Sequence, residues 1–217
     1  MQISKVLEHS IREVVENRVN LSKALAIPFV ILVADSFLNA EPTESISGLI
    51  FLLASIISYI WIAISTHRIL LLGSSSVPEW GVYIPSKRDF CFFCYSLALS
   101  LLVTVVVMLG LFSLITGFFG VCVALYLWSR LALVFPAIAI DEKFGFSNSW
   151  SATDANQLPI FVLVSLVPIL VWIVSVAVAL IPIVGHVSLV LQIIAQVYTV
   201  ALLSVSFREI VINEQGE

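Results

Sequence analysis

Residues 158–181 read LPIFVLVSLVPILVWIVSVAVALI, a run with no Asp, Glu, Lys, Arg or His. A helix rises about 1.5 Å per residue, so roughly 20 apolar residues cross the hydrocarbon core of a bilayer. Five further apolar runs reach that length: 21–40, 47–72, 92–113, 116–140 and 186–207. Six membrane crossings are predicted. The composition agrees, with 60% hydrophobic and only 11% charged residues and a mean hydropathy of +1.11, far from the balance of a soluble domain. Six spans and short connections use up the 217 residues, so the chain reads as one membrane domain.

The ten Lys and Arg residues fall in segments that alternate with uncharged connections. Lys5, Arg12, Arg18 and Lys23 lie before or at the start of the first run, and Arg68, Lys87 and Arg88 cluster after the second. Arg130 and Lys143 belong to the end of the fourth run, and Arg208 closes the sixth. The connections around 39–45, 115–120 and 181–186 carry no Lys or Arg. The positive-inside bias then predicts that both termini are cytoplasmic. The net charge of −4 implies no nucleic-acid partner, because the acidic residues are spread over both sides while the basic ones are not. The first apolar run starts late and lacks a small-x-small cleavage pattern, so it is expected to be retained as a helix. Cys91, Cys94 and Cys122 do not make a disulfide framework.

Ahead of the first run, Ile3, Val6, Leu7, Ile11, Val14, Val15 and Val19 recur at helical spacing. Lys5, Glu8, Arg12, Glu13, Glu16 and Asn17 fall on the opposite side. Residues 1–20 therefore read as an amphipathic interfacial helix, lying on the inner leaflet or packed on a partner. Residues 21–213 form the six-helix transmembrane domain, and 214–217 a short cytoplasmic tail. The fold class is all-α: a polytopic six-helix bundle of three hairpins. The connection 73–89, with Trp80 and Tyr83, is expected to skim the interface. Residues 141–158 are expected to contain a short interfacial helix capped by Ser147 or Asn148.

Few side chains carry chemistry. Arg130 is followed by the apolar residues 131–140, which places it well inside its run, where a charge is costly. It reads either as a headgroup, anion or substrate contact, or as a structural partner of Asp141, Asp154 or Glu209. A loose repeat places Arg68, Arg130 and Arg208 near the inner ends of the three even spans, each following Ser or aromatic residues. With Trp150 and Asp154 these arginines make up the candidate ligand or lipid site. Asp35 is expected to bond locally to Ser36 and Asn39 at the outer interface. Cys91-Phe-Phe-Cys94 has the spacing of half a zinc site and lacks a second ligand pair, so no metal and no cofactor are implied. Pro28, Pro136, Pro159, Pro168 and Pro182 predict kinks. The sequence shows no Gly-x-Ser-x-Gly elbow, no phosphate-cradling loop and no intramembrane Ser-His pairing, and the expectation is a non-enzyme.

Residues 130–156, RLALVFPAIAIDEKFGFSNSWSATDAN, resemble a signature of the YciC-type bacterial inner-membrane family. They also resemble the membrane domain that accompanies some glycerophosphodiester phosphodiesterases. Arg130, Pro136, Asp141, Lys143, Ser149, Trp150, Thr153 and Asn156 carry the likeness. It implies a six-helix fold in a bacterial inner membrane without catalysis, since the phosphodiesterase chemistry belongs to a separate soluble domain. The function expected is binding of membrane lipids, of a membrane protein partner or of further copies of the chain, in envelope organisation. The alternative is a small transporter or channel with Arg130 lining a polar cavity.

Overall fold

The computed structural model describes residues 1–38, 46–181 and 188–212, and these are helical with no strand among them. The connection expected at 39–45, most of that at 181–186 with Pro182 and His186, and the tail 214–217 lie outside the described residues. Helix α1 spans Ile3–Glu16 and α2 spans Arg18–Leu38; α3 is Ile46–Leu72 and α4 is Lys87–Gly110. They are followed by α5 (Leu114–Leu131), α6 (Val134–Ala139) and α7 (Phe146–Ala152). The chain continues through α8 (Gln157–Phe161), α9 (Val167–Ala179) and α10 (Ser188–Phe207). Six stretches are long and apolar enough to cross a membrane: Arg18–Ser36, Ile46–Leu72, Lys87–Gly110, Leu114–Ala139, Asp154–Val178 and Leu189–Ile212. Each predicted run therefore corresponds to one helical stretch, and the chain is a multi-pass helical protein by length and composition.

The helices pack as α2 on α3, α4 on α5 and α9 on α10, with α10 also against α1 and α3. The short α6 sits at the centre. All six of its residues are buried, and it touches α3, α4 and α10. Around it the main core gathers Ile64, Leu99, Leu133, Ile160, Leu163, Leu202 and Phe207, while Phe92 lies 5.1 Å from Phe135 between ring centroids. A second cluster joins α2, α3 and α10 through Leu21, Leu25, Leu32, Ile62, Ile69, Ile193 and Val197. Polar stretches between spans would leave backbone groups unsatisfied in lipid, so each turn needs its own partners. At the α4–α5 turn Ser113 and Thr116 supply them, with Ser113 N donating to Thr116 Oγ1 at 2.9 Å and Thr116 N to Ser113 Oγ at 3.2 Å. Close approach there needs glycine, because a Cβ on Gly120 would meet the Cα of Gly110 at 3.1 Å.

Two kinks depart from the positions that proline alone suggested. The fourth span breaks at Ala132–Leu133, one turn before Pro136. Proline has no N–H to give Ala132, whose carbonyl accepts instead from Phe135 N at 3.1 Å, so the helix tightens upstream of the ring. Arg130 consequently lies in the last turn of α5, with α6 completing the apolar stretch beyond it. In the fifth span Pro168 is preceded by a π-helical turn, Val162–Leu166, in which Val167 N bonds Val162 O. The wider turn accompanies a bond from Ser165 Oγ to Leu125 O, 2.9 Å away on α5.

The ending of α6 is equally specific. Asp141 adopts φ 64°, and the chain closes back through Asp141 N to Ile138 O at 3.0 Å and Glu142 N to Ala137 O at 2.9 Å. Glycine is usual at such a position, and a non-glycine residue there is held by its surroundings. For α7 the cap is Gly145, not Ser147 or Asn148: Asn148 occupies the third position and accepts from Gly145 N at 3.0 Å. Its short amide reaches back to the entering backbone, which is the work of the third residue in a cap and not of the first.

On α1, Val6 and Ser10 are buried against the bundle and Val14 packs on the second cluster, whereas Ile11 and Val15 are exposed. The loop after α3 lies over α2. Lys23 Nζ donates to Glu79 Oε1 at 2.8 Å, which holds the Glu79 carboxyl below its usual range through that hydrogen bond and the lysine's charge. Gly81, at φ 65°, touches α2 so closely that a Cβ would fall 1.7 Å from the Ala24 carbonyl oxygen. Gly81→Ala is therefore expected to cost about 2 kcal/mol or more from combined strain and clash. Equilibrium unfolding in detergent checks it, and an unchanged midpoint would remove the loop from the packed structure.

Candidate functional site at the arginine ends of the helices

The three arginines of the loose repeat do one thing in common. Each donates to a main-chain carbonyl of a neighbouring helix or its end and to one carboxylate. Arg68, near the end of α3, donates through Nη1 to Ala139 O (2.9 Å) and Asp141 Oδ2 (2.8 Å), and through Nε to Ser76 O (3.1 Å). Arg130, at the end of α5, donates through Nη2 to Trp150 O on α7 (2.7 Å) and to Asp154 Oδ1 (2.5 Å). Arg208, just past α10, donates to Leu70 O near the end of α3 and to Glu13 Oε1 on α1 (2.6 Å). The last carbonyls of a helix have no partner within it, and a guanidinium offers both donors and a charge of the favourable sign for the C-terminal dipole.

Arg130 is the most enclosed of the three, with a side chain 1% exposed against 65% for Asp154. Its guanidinium carbon lies 4.4 Å from the Trp150 ring centroid and 6.0 Å from that of Tyr126, a stacked arrangement that suits a weakly hydrated cation. Ser149 Oγ returns a bond to Arg130 O at 2.7 Å, so α5 and α7 are tied in both directions. Arg130, Trp150 and Asp154, which sequence reasoning named as candidates, thus form one unit. Of the three carboxylates considered as its partner, Asp154 takes the role. Asp141 goes to Arg68 and, at 3.3 Å, to Arg88 Nη1. Nε and Nη1 of Arg130 are buried without a hydrogen-bond acceptor among the described residues.

At the start of α4, Asp89 accepts from Ser86 N (2.8 Å), Ser86 Oγ (2.6 Å) and Tyr83 OH (2.6 Å). Burial, together with the bond to Asp89, pushes the Tyr83 hydroxyl up from its ordinary range, so it stays a donor at any physiological pH. A notch of about 500 Å³ opens beside this helix start, lined by Lys87, Arg88, Cys91, Tyr95, Asp141, Glu142 and Lys143. An apolar groove of about 610 Å³ runs between α2 and α10 under α1, with Ala26, Phe29, Ile194 and Val197 on its walls and Arg18 at one end.

One sequence expectation gains a partner and another changes. Ser55 Oγ of α3 donates to the Asp35 carboxylate at 2.6 Å, a partner from a neighbouring helix; the expected partner Asn39 lies outside the described residues. The expected lack of an intramembrane Ser-His pairing is overturned by His67 Nδ1, which lies 2.7 Å from Ser204 Oγ. Both side chains are buried, as are Ser65, Thr66 and Ser206 nearby in sequence. Ser204 Oγ also lies 2.8 Å from Val200 O, and the His67–Ser204 bond joins α3 to α10. The 137 residues that separate the pair kept it out of reach of motif reading.

Comparison with protein families, with curated proteins and with solved structures finds no match for this chain.

The staple account predicts a definite order of stabilities. Asp154→Asn leaves the Arg130 charge buried with half of its support and is expected to cost about 2–3 kcal/mol, less than a fully enclosed pair because Asp154 itself is exposed. Arg130→Met combined with Asp154→Asn removes that stranded charge and is expected to recover part of the loss. Unfolding of the two variants in detergent gives the order, and a double variant less stable than Asp154→Asn would refute the account.

Proposed function

We propose that the chain is a non-catalytic integral membrane protein that binds lipid, with its six spans arranged as three hairpins and α1 lying at the inner interface. The single observation that carries the reading is the groove between α2 and α10. From Arg18 to Val30 it covers about 18 Å of helix rise, it is walled by aliphatic and aromatic side chains, and its one charged wall residue is the exposed Arg18. An acyl chain suits such walls and an anionic or zwitterionic headgroup suits such an end. In this proposal the basic helix ends face the cytoplasm and the bilayer is a bacterial inner membrane, as the likeness of residues 130–156 to YciC-type proteins implies. Arg68, Arg130 and Arg208, with Trp150 and Asp154, build the inner surface on which lipid or a membrane partner sits. The transporter alternative, with Arg130 lining a polar cavity, has against it the side chain's 1% exposure and its bonds to Trp150 and Asp154.

Native mass spectrometry of the protein released from nanodiscs tests the reading. Wild type is expected to retain phospholipid, and Ala26→Trp, which fills the groove, to release it. Arg18→Gln is expected to weaken retention of anionic lipid about fivefold, the contribution of one basic side chain at a membrane surface. Retention unchanged in both variants would overturn the groove as the lipid site, and solute flux in proteoliposomes lost on Arg130→Ala would favour transport instead.

A further inference from the structure

The notch beside the start of α4 has a charge pattern that the arginine staples do not use up. Asp141 is occupied by Arg68 and Arg88, which leaves Lys87, Glu142 and Lys143 as the charged side chains on its walls that make no hydrogen bond or ion pair among the described residues. All three are exposed. Arg88, a further wall residue, has a buried Nε without an acceptor among the described residues. The start of α4 is already capped by the Asp89 carboxylate, so the anion must be held by side chains. Two free cations and a donor without a partner favour an anion of phosphate type. The free carboxylate of Glu142 favours a cation next to it.

Depth decides between a dissolved ion and a lipid. From Lys87 to Tyr95 the notch follows α4 for two turns, about 12 Å, past Cys91, Ile138 and Phe144. It therefore changes from charged to apolar along its length. Below it the same face of α4 is uncovered, with Leu102, Val105 and Leu109 exposed on a helix long and apolar enough to span a membrane. A ligand that is ionic at one end and continues as hydrocarbon matches both parts. The nearby rings are engaged, Tyr95 against Phe146 at 4.9 Å and Phe144 against Phe207 at 5.7 Å, so no open aromatic cage is offered to a quaternary ammonium. A carboxylate is suited to a primary ammonium that can donate hydrogen bonds.

We infer that this notch is a headgroup site for a zwitterionic aminophospholipid, its phosphate held between Lys87 and Lys143 and its primary amine on Glu142. The inference rests on the lipid-binding reading and adds to it a second site with headgroup selectivity. It is tested with the full chain in nanodiscs by native mass spectrometry, using phosphatidylethanolamine, phosphatidylcholine and phosphatidylglycerol of the same acyl composition, with inorganic phosphate as competitor.

Wild type is expected to retain phosphatidylethanolamine about tenfold better than phosphatidylcholine, the effect of one charge-assisted hydrogen bond. Glu142→Gln is expected to abolish that preference while phosphatidylglycerol binding persists or rises. Lys87→Gln with Lys143→Gln is expected to weaken all three lipids. Because these side chains are exposed, unchanged thermal unfolding is expected and serves as the check on folding. Equal retention of the two zwitterionic lipids by wild type, or a preference that survives Glu142→Gln, overturns the inference. Displacement by millimolar inorganic phosphate would make free phosphate the ligand and would overturn it too. If Ala26→Trp still releases lipid while no headgroup preference exists, the groove reading stands and this one falls.

Discussion

In a bilayer there is no water to take up the carbonyls that a helix leaves unbonded at its C-terminal end, and the ends of α3, α6 and α7 meet that constraint with arginine. Arg208 reaches Leu70 O, Arg68 reaches Ala139 O, and Arg130 reaches Trp150 O on the adjoining short helix. A carboxylate joins each contact, from Glu13, Asp141 and Asp154 in turn. The charge that makes these side chains costly to place near hydrocarbon is thereby neutralised where it is used. Because donor and acceptor always come from different elements, the same bonds link α10 to α1 and α3, α3 to α6, and α5 to α7.

The central α6 shows how far the arrangement extends. Its six residues are entirely buried, it ends on Asp141 in a left-handed conformation, and that carboxylate is held by Arg68 and Arg88. The strained backbone and the ion pairs are therefore one feature: the turn aims the carboxylate under the arginines, and the arginines stabilise the turn. With Arg68, Arg130 and Arg208 committed to helix ends and Lys23 to Glu79, the basic groups left for outside molecules include Lys87, Lys143 and Arg18. Arg18 stands at the end of an apolar groove, and Lys87 and Lys143 flank a notch that also holds Glu142. The proposed lipid sites follow from this division between charges that hold the protein together and charges that face the membrane.

Much of the architecture was legible because hydropathy acts locally. The six apolar runs correspond to six spans, the short helix after the fourth span is present, and the basic residues named at the even spans lie at helix ends. Partner choice was less legible. Arg130 had three plausible carboxylates in sequence, and only the fold back through α7 selects Asp154. Pro136 pointed to a kink without showing that the break falls at Ala132, because the missing hydrogen bond is felt one turn upstream of the ring. The bond between His67 and Ser204 left no trace in either local segment, since each residue reads alone as an ordinary polar interruption of an apolar helix.

What the amino-acid sequence determined by itself is the number of helices long and apolar enough to cross a membrane and their approximate positions, because burial in hydrocarbon is decided residue by residue along a stretch of about 20. It also determined which side chains are too polar to sit idle. The tertiary structure decided which of them are consumed by one another, because a guanidinium at a helix end is satisfied by whatever carbonyl and carboxylate the packing of distant spans brings within 3 Å or so. Arg130 could be singled out from its surroundings in the chain, but whether it faces a ligand or a neighbouring helix depends on α7 lying across the end of α5, a matter of packing between elements that hydropathy does not encode.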